Sequence, residues 1–153
     1  MSEIKKTHNF EREFPPYVNF GQGDTTNKVR EKMNDLQSEP WSPFSGYRMD
    51  YIYIFSMAYA KKMGLSPKKT PSGTGGIPKN RFDDDERRHI MKSLAISVTG
   101  KIETAIDALE VVRICSSYAY PGIIEIYEKI LELKDKLGPE QILEQLIQEE
   151  KKK

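Results

Sequence analysis

The sequence contains little of the chemistry that enzymes and secreted proteins use. Its 153 residues include one cysteine, Cys115, and two histidines, His8 and His89. A single thiol cannot form an intramolecular disulfide, so we expect a reduced, cytoplasmic setting. The preceding Arg87 and Arg88 disfavour a metal ion at His89, and no base stands beside Cys115 in sequence to activate its thiol. The sequence therefore predicts no catalytic residue, no metal site and no cofactor.

An excess of one charge is also lacking. The 24 basic and 23 acidic side chains leave a net charge of +1, so attraction to a nucleic acid must come from a local patch. No apolar run approaches the length of a membrane span, and the first residues lack the apolar stretch of a signal peptide. We accordingly expect a cytoplasmic protein that does not enter a membrane.

The apolar residues that are present recur at helical spacing. This periodicity predicts an all-α fold, a single-domain helical bundle of about six helices with no sheet. The predicted helices cover residues 24–38, 47–63, 83–99, 102–118, 123–137 and 139–148, and Pro121-Gly122 is expected to break the chain between the fourth and the fifth. The predicted domain spans 24–148, preceded by an irregular, extended N-terminal arm over 1–23 and followed by a frayed, charged end over 149–153. Aromatic residues of the arm are expected to pack on the domain.

The predicted helix over 47–63 is apolar on nearly every side, which is typical of a buried central helix. Asp50 lies within it, and a buried charge is costly unless it is paired. We expect Asp50 to hydrogen-bond to a tyrosine or a helix end. The alternative is that Asp50 and Tyr47 line a ligand pocket.

The loop over 64–82 is the sharpest local feature. From position 61 to position 81 the chain has basic residues and no acidic one, and Gly73, Gly75 and Gly76 let the backbone approach a ligand. Lysines and backbone amides are groups that bind phosphate, and such contacts give sequence-independent binding to DNA. The predicted nucleic-acid-binding residues are Lys61, Lys62, Lys68, Lys69, Lys79 and Arg81. The alternative is a solvated, mobile loop.

The final predicted helix carries one apolar face. It consists of Ile142, Leu143, Leu146 and Ile147, near the chain end, where a monomer has fewest neighbours to cover it. An uncovered face of this kind marks an interface, so these residues predict a homodimer. Packing into the core of a single chain is the alternative.

Three stretches resemble a small family of proteins associated with the Dnd systems of bacterial and archaeal DNA phosphorothioation. They are Phe44-Ser-Gly-Tyr-Arg-Met-Asp-Tyr-Ile-Tyr-Ile-Phe-Ser-Met-Ala, Leu94-Ala-Ile-Ser-Val-Thr-Gly-Lys-Ile-Glu and Ser117-Tyr-Ala-Tyr-Pro-Gly-Ile-Ile-Glu-Ile-Tyr. The sequence departs from the family at Lys101, where the family has an acidic residue, and at Tyr120-Pro121. The resemblance implies a place beside a DNA modification or defence system and carries no enzymatic activity with it.

The resulting functional expectation is a non-enzymatic accessory protein of a prokaryotic DNA-phosphorothioation-linked defence system. Such a protein acts by binding the DNA backbone, proteins of the modification or restriction system, or both. A helical adaptor or self-associating protein with no nucleic-acid role is the alternative, and an enzyme with an unfamiliar site is the third.

Overall fold

Helices dominate the computed structural model, which describes residues 9–150. The helices are α1 (Phe10–Glu13), α2 (Val29–Ser38), α3 (Met49–Met63), α4 (Asp85–Thr99), α5 (Ala108–Leu133) and α6 (Pro139–Gln148), with short 3-10 helices at Lys79–Phe82 and Ile102–Ile106. The predicted helical bundle is confirmed. No helix in the described part of the chain combines the length and the apolar character needed to cross a membrane.

The prediction that the fold contains no sheet was wrong. Strands β1 (Tyr17–Val18) and β2 (Ile77–Pro78) pair in antiparallel register, with Val18 opposite Ile77. Both strands lie in proline-rich segments that cannot form helices, and the two segments run side by side on the bundle. The pairing therefore joins the N-terminal arm to the basic loop.

The long helix α5 is the centre of the fold, because α1, α2, α3, α4 and α6 all contact it. The predicted break at Pro121-Gly122 was wrong, since α5 continues through both residues and joins most of the predicted fourth and fifth helices. Residues 102–106, which were assigned to the fourth helix, form a separate 3-10 turn. Asp107 then caps α5 by accepting a hydrogen bond from the amide of Glu110 at 3.2 Å.

Gly122 lies in α5 because α3 crosses there. A Cβ at this position would lie well under 3.0 Å from the carbonyl oxygen of Ser56, so only glycine permits this approach of the two helices. Beside the crossing, the hydroxyls of Tyr53 and Ser116 are 2.8 Å apart and share a buried hydrogen bond. Gly122 thus lets the two helices pack closely, and the buried hydroxyls of Tyr53 and Ser116 satisfy each other beside the contact.

Helix α3 contributes to the core, as its composition predicted, with Ile52, Tyr53 and Met57 buried against its neighbours. It is not covered all round, because Tyr51 and Ala58 face solvent. Gly64 ends the helix in the left-handed conformation, at a φ of 70°.

The N-terminal arm packs on the bundle from Asn9 onwards, and residues 1–8 lie outside the described part. Phe14 and Phe20 are buried, which agrees with the expectation that aromatics of the arm pack on the domain. Arg88 of α4 holds the arm by an ion pair with Glu11, and its guanidinium lies 4.8 Å from the centroid of the Phe14 ring. Residues 9–23 of the arm are therefore an integral part of the domain.

Candidate partner-binding cleft

A cleft of about 690 Å³ opens where the arm, the basic loop, the end of α4 and the first half of α5 meet. Its walls are mainly apolar and include Val98 from α4 and Leu109 and Val112 from α5. Tyr17 of β1 forms part of the wall opposite. Cations also line the cleft, namely Lys68, Lys69 and Arg113, and none of the described residues that line it is acidic. The site thus combines aliphatic surface with positive charge.

The basic loop is fixed beside this cleft by hydrogen bonds to the bundle and the arm. The amide of Lys68 donates to the carbonyl oxygen of Ser117 at 2.9 Å. The side-chain amide of Asn19 donates to the carbonyl of Pro71 at 2.7 Å, and Arg30 donates to the carbonyl of Thr74 at 3.0 Å. The loop is accordingly tied to three separate elements, contrary to the alternative of a free, solvated segment.

The six predicted DNA-binding cations occupy different environments. Lys68 and Lys69 line the cleft. The ammonium of Lys62 donates to the carbonyl of Ile147 in α6, and that of Lys79 donates to the carbonyl of Glu11 in α1 at 2.6 Å. The other two, Lys61 and Arg81, are exposed outside the cleft. The structure therefore brings two of the six together at the cleft and uses two others as structural ties.

Arg113 belongs to the cleft, and sequence reasoning missed it. Its guanidinium makes two hydrogen bonds of 2.8 Å to the Glu110 carboxylate one turn earlier on α5. This contact lowers the pKa of Glu110 and raises that of Arg113. The sequence spacing of Glu110 and Arg113 predicts an ion pair on a helix. The sequence does not show that this pair lies beside Lys68 and Lys69, which are more than forty residues earlier in the chain.

The two serine hydroxyls in the cleft wall already form hydrogen bonds within the bundle. Ser116 bonds to Tyr53, and Ser117 donates to the carbonyl of Ile114 at 2.6 Å. Cys115 is buried between them, where desolvation raises the pKa of its thiol, and it donates to the carbonyl of Met91 at 3.4 Å. Within residues 9–150, no cluster of three or more His, Cys, Asp or Glu side chains is arranged to hold a metal ion.

Asp50 is buried, as expected, but its partners are arginines. Arg87 Nε lies 2.8 Å from Asp50 Oδ2, and Arg48 donates to the same oxygen at 3.2 Å. These two arginines stand where a tyrosine or a helix end was expected as the partner of Asp50. Tyr47 is exposed, and its ring centroid lies 5.0 Å from that of Tyr51. The alternative, a ligand pocket lined by both Asp50 and Tyr47, is disfavoured because Asp50 is fully buried and ion-paired whereas Tyr47 is 47% exposed.

The predicted oligomer interface is largely covered within one chain. Ile142 and Leu146 are buried and Leu143 is partly buried against the core, whereas Ile147 is 55% exposed. The premise of an open apolar face was therefore wrong, because α6 folds back and turns this face inward.

The end of α6 is held in place rather than frayed. The Tyr59 hydroxyl donates to Glu149 Oε1 at 2.7 Å, and Lys129 forms an ion pair with the same carboxylate. Burial alone would raise the pKa of Glu149, but these two hydrogen bonds together with the positive charges of Lys129 and Lys62 outweigh it, and the pKa is lowered. Residues 151–153, the rest of the predicted frayed end, lie outside the described part of the chain.

Comparison of the chain with models of protein families, with curated proteins and with solved structures found no match.

Proposed function

We propose that this protein is a non-enzymatic accessory protein that binds a partner protein in the cleft between the basic loop and α5. The setting, a prokaryotic DNA-phosphorothioation-linked defence system, is supported by the sequence resemblance alone. The binding role is supported by the geometry of the cleft.

One observation carries the binding role. The cleft joins exposed aliphatic side chains of α4 and α5 to the cations Lys68 and Lys69 and to Arg113, which is paired with Glu110, and no carboxylate is among the described residues that line it. Apolar surface surrounded by like charges is typical of a site that excludes water around an apolar anchor and selects the partner by charge. The serine hydroxyls and the thiol nearby serve packing, which supports binding rather than nucleophilic catalysis.

DNA-backbone binding is the second candidate, and a separate observation favours it. Lys61, Lys68, Lys69 and Arg81 are all exposed, and none of their side chains forms an ion pair with another described residue. Four free cations on one segment are suited to phosphate contacts. The aliphatic cleft has no use in such contacts, and for this reason the partner protein stands first.

The test is a direct titration of the purified protein against each protein of the phosphorothioation modification and restriction system of the same genome. We expect one of them to bind, and the charge reversal Lys68→Glu with Lys69→Glu to weaken binding by about tenfold or more. The matched control is Lys61→Glu with Lys136→Glu, which makes the same change of charge at exposed positions outside the cleft. The proposal is wrong if no such protein binds, or if both double variants lose affinity equally.

A further inference from the structure

A row of aliphatic side chains leads from solvent into the cleft. Ile102 is 77% exposed, Ile106 54% and Leu109 60%, and Val98 beside them is 38% exposed. Burying a side chain of this size contributes about 1.5–3 kcal/mol, so leaving four of them in water sacrifices stabilisation that a monomer would otherwise gain. Exposed aliphatic side chains grouped on one part of a folded chain indicate an interaction surface.

The row and the cleft form one surface. Ile102 and Ile106 lie on the 3-10 turn that precedes α5 and packs against both α4 and α5. Leu109 follows on the first turn of α5, and both Leu109 and Val98 also line the cleft. The apolar surface therefore extends along the turn and the start of α5, which suits an elongated partner segment better than a compact small molecule.

The charges along this surface are mostly positive. Lys101 stands exposed beside the row, and Lys68 and Lys69 stand at the cleft. Glu110 is neutralised by its ion pair with Arg113, which leaves two acidic residues on this stretch, Glu103 and the α5 cap Asp107, without an ion-pair partner among the described residues. Three lysines against two carboxylates, one of which is engaged in capping the amides of α5, favour a negatively charged occupant.

We propose that this surface binds an acidic amphipathic helix of a partner protein. The inference rests on the proposed function and names the chemistry of the partner. A helix presents apolar side chains at i, i+3, i+4 and i+7, which fit a row of aliphatic residues that continues into a cleft. Its flanking carboxylates lie within reach of the lysines. DNA offers phosphates to the lysines but nothing that buries Ile102, Ile106 and Leu109.

The experiment selects peptides from a random library about 16 residues long, roughly four helical turns, on the immobilised full-length protein. Leu109→Asp protein serves for counter-selection, since an aspartate in the exposed first turn of α5 suits the helix dipole and keeps the fold. We expect the enriched sequences to carry Leu, Ile or Phe at helical spacing with Asp and Glu beside them.

The best enriched peptide is then synthesised and titrated. Its affinity should fall about tenfold with Leu109→Asp and again with Lys68→Glu and Lys69→Glu. The control is Leu131→Asp, which places the same substitution at an exposed leucine of the same helix outside the cleft and should leave affinity unchanged.

Several results would overturn the inference. The inference is wrong if the enriched peptides are neutral or basic. It is also wrong if they bind the wild-type protein and Leu109→Asp with equal affinity. Sedimentation showing a wild-type dimer that Leu109→Asp dissociates would identify a second copy as the occupant instead. Duplex DNA binding that Leu109→Asp abolishes would identify nucleic acid.

The two proposals fail separately. If a defence-system protein binds through Lys68 and Lys69 but no acidic helix is selected, only the present inference falls. If acidic helices are selected but no defence-system protein binds, only the proposed cellular role falls.

Discussion

The backbone amide of Lys68 donates a hydrogen bond to the carbonyl oxygen of Ser117 at 2.9 Å. In an uninterrupted helix the carbonyl of residue 117 accepts from the amide of residue 121, but residue 121 is proline and has no N–H. The proline ring also pushes that carbonyl away from the helix axis. Pro121 therefore creates the acceptor that fixes the basic loop beside the cleft.

Replacing Pro121→Ala should loosen the loop without unfolding the bundle. The new amide competes for the Ser117 carbonyl, so we expect hydrogen exchange at the Lys68 amide to become roughly fivefold faster, which corresponds to a hydrogen bond of about 1 kcal/mol. The amide of Leu65, which donates to Ala60 at 3.0 Å, serves as the internal control and should not change. Unchanged exchange at Lys68 would show that the carbonyl serves both donors.

Replacing Gly122→Ala should destabilise the fold. A methyl group there meets the backbone of Ser56, so α3 and α5 must separate, and we expect the free energy of unfolding to fall by about 1–3 kcal/mol despite the better helix propensity of alanine. Urea denaturation measures the change. Gly138→Ala is the control, because the nearest atom lies 4.0 Å from the added carbon and the loss should stay below about 1 kcal/mol. Equal losses at the two sites would contradict a steric cause.

The hydroxyl of Tyr120 in α5 donates to Asp24 and should make the stability pH-dependent. This bond, with further ones from Asn27, lowers the pKa of Asp24 from 3.8 to about 2. Because the folded pKa is depressed, this contribution to stability is full above pH 3.8 and is lost as pH falls through about 2. Tyr120→Phe should raise the pKa of Asp24 and flatten the pH dependence of unfolding in that window.

Carboxyl NMR titration and urea unfolding at several pH values measure both effects. Tyr127→Phe is the matched control, since the Tyr127 hydroxyl donates to Asp35 instead, at 2.8 Å. An Asp24 pKa that is the same in wild type and Tyr120→Phe would remove Tyr120 as the cause.

Two neighbouring residues of α6 test whether its apolar face belongs to the core or to an interface. Leu146 is buried in the chain, so Leu146→Ala should lower the free energy of unfolding by about 2–5 kcal/mol at any protein concentration. Ile147 is largely exposed, so Ile147→Ala should change it by no more than about 0.5 kcal/mol. The homodimer stays a prediction. A free energy of unfolding that rises with protein concentration in the wild type, and no longer does so in Ile147→Ala, would support the dimer.

If the loop contacts a DNA backbone, its free cations determine the salt dependence. Four engaged cations give a log–log slope of affinity against salt of about −3.6, with no sequence preference. Replacing Lys61, Lys68, Lys69 and Arg81 by alanine should flatten this slope, and none of these side chains holds the fold together. Lys79 is left intact because its bond to Glu11 holds α1. Titration of duplex DNA at low and at physiological salt measures this slope. If the wild-type protein does not bind DNA, the proposal that the loop contacts a DNA backbone is wrong.

The helical periods, the Gly64 stop and the burial of Ile52 were readable from the sequence, because local spacing alone determines which face of a helix is apolar. The interpretation failed at Pro121, where a residue that usually ends helices is accommodated by a donor from another segment. It also failed for the sheet, since two-residue strands contain too few residues to show alternation.

The candidate site was predicted in part. Lys68 and Lys69 were singled out because a run of cations without acids is a local property, and their role in binding stays a prediction. Arg113, Val98 and Leu109 were not, because each looks like an ordinary helix residue until the loop lies against α5. The sequence also could not show that Lys62 and Lys79 lie away from the cleft, because their positions depend on where α6 and α1 pack in the fold.

The sequence by itself determined the helical class, the near-zero net charge and the basic character of one loop, because composition and short-range periodicity carry these properties. Only the tertiary structure decided that α5 is the central helix, that the face of α6 is covered and that the loop forms a cleft with α5. The physical reason is that these features depend on contacts between residues distant in sequence. The carbonyl freed by Pro121 accepts a hydrogen bond from Lys68, and the space left by Gly122 is occupied by the backbone of Ser56. Both partners lie more than fifty residues away in the sequence.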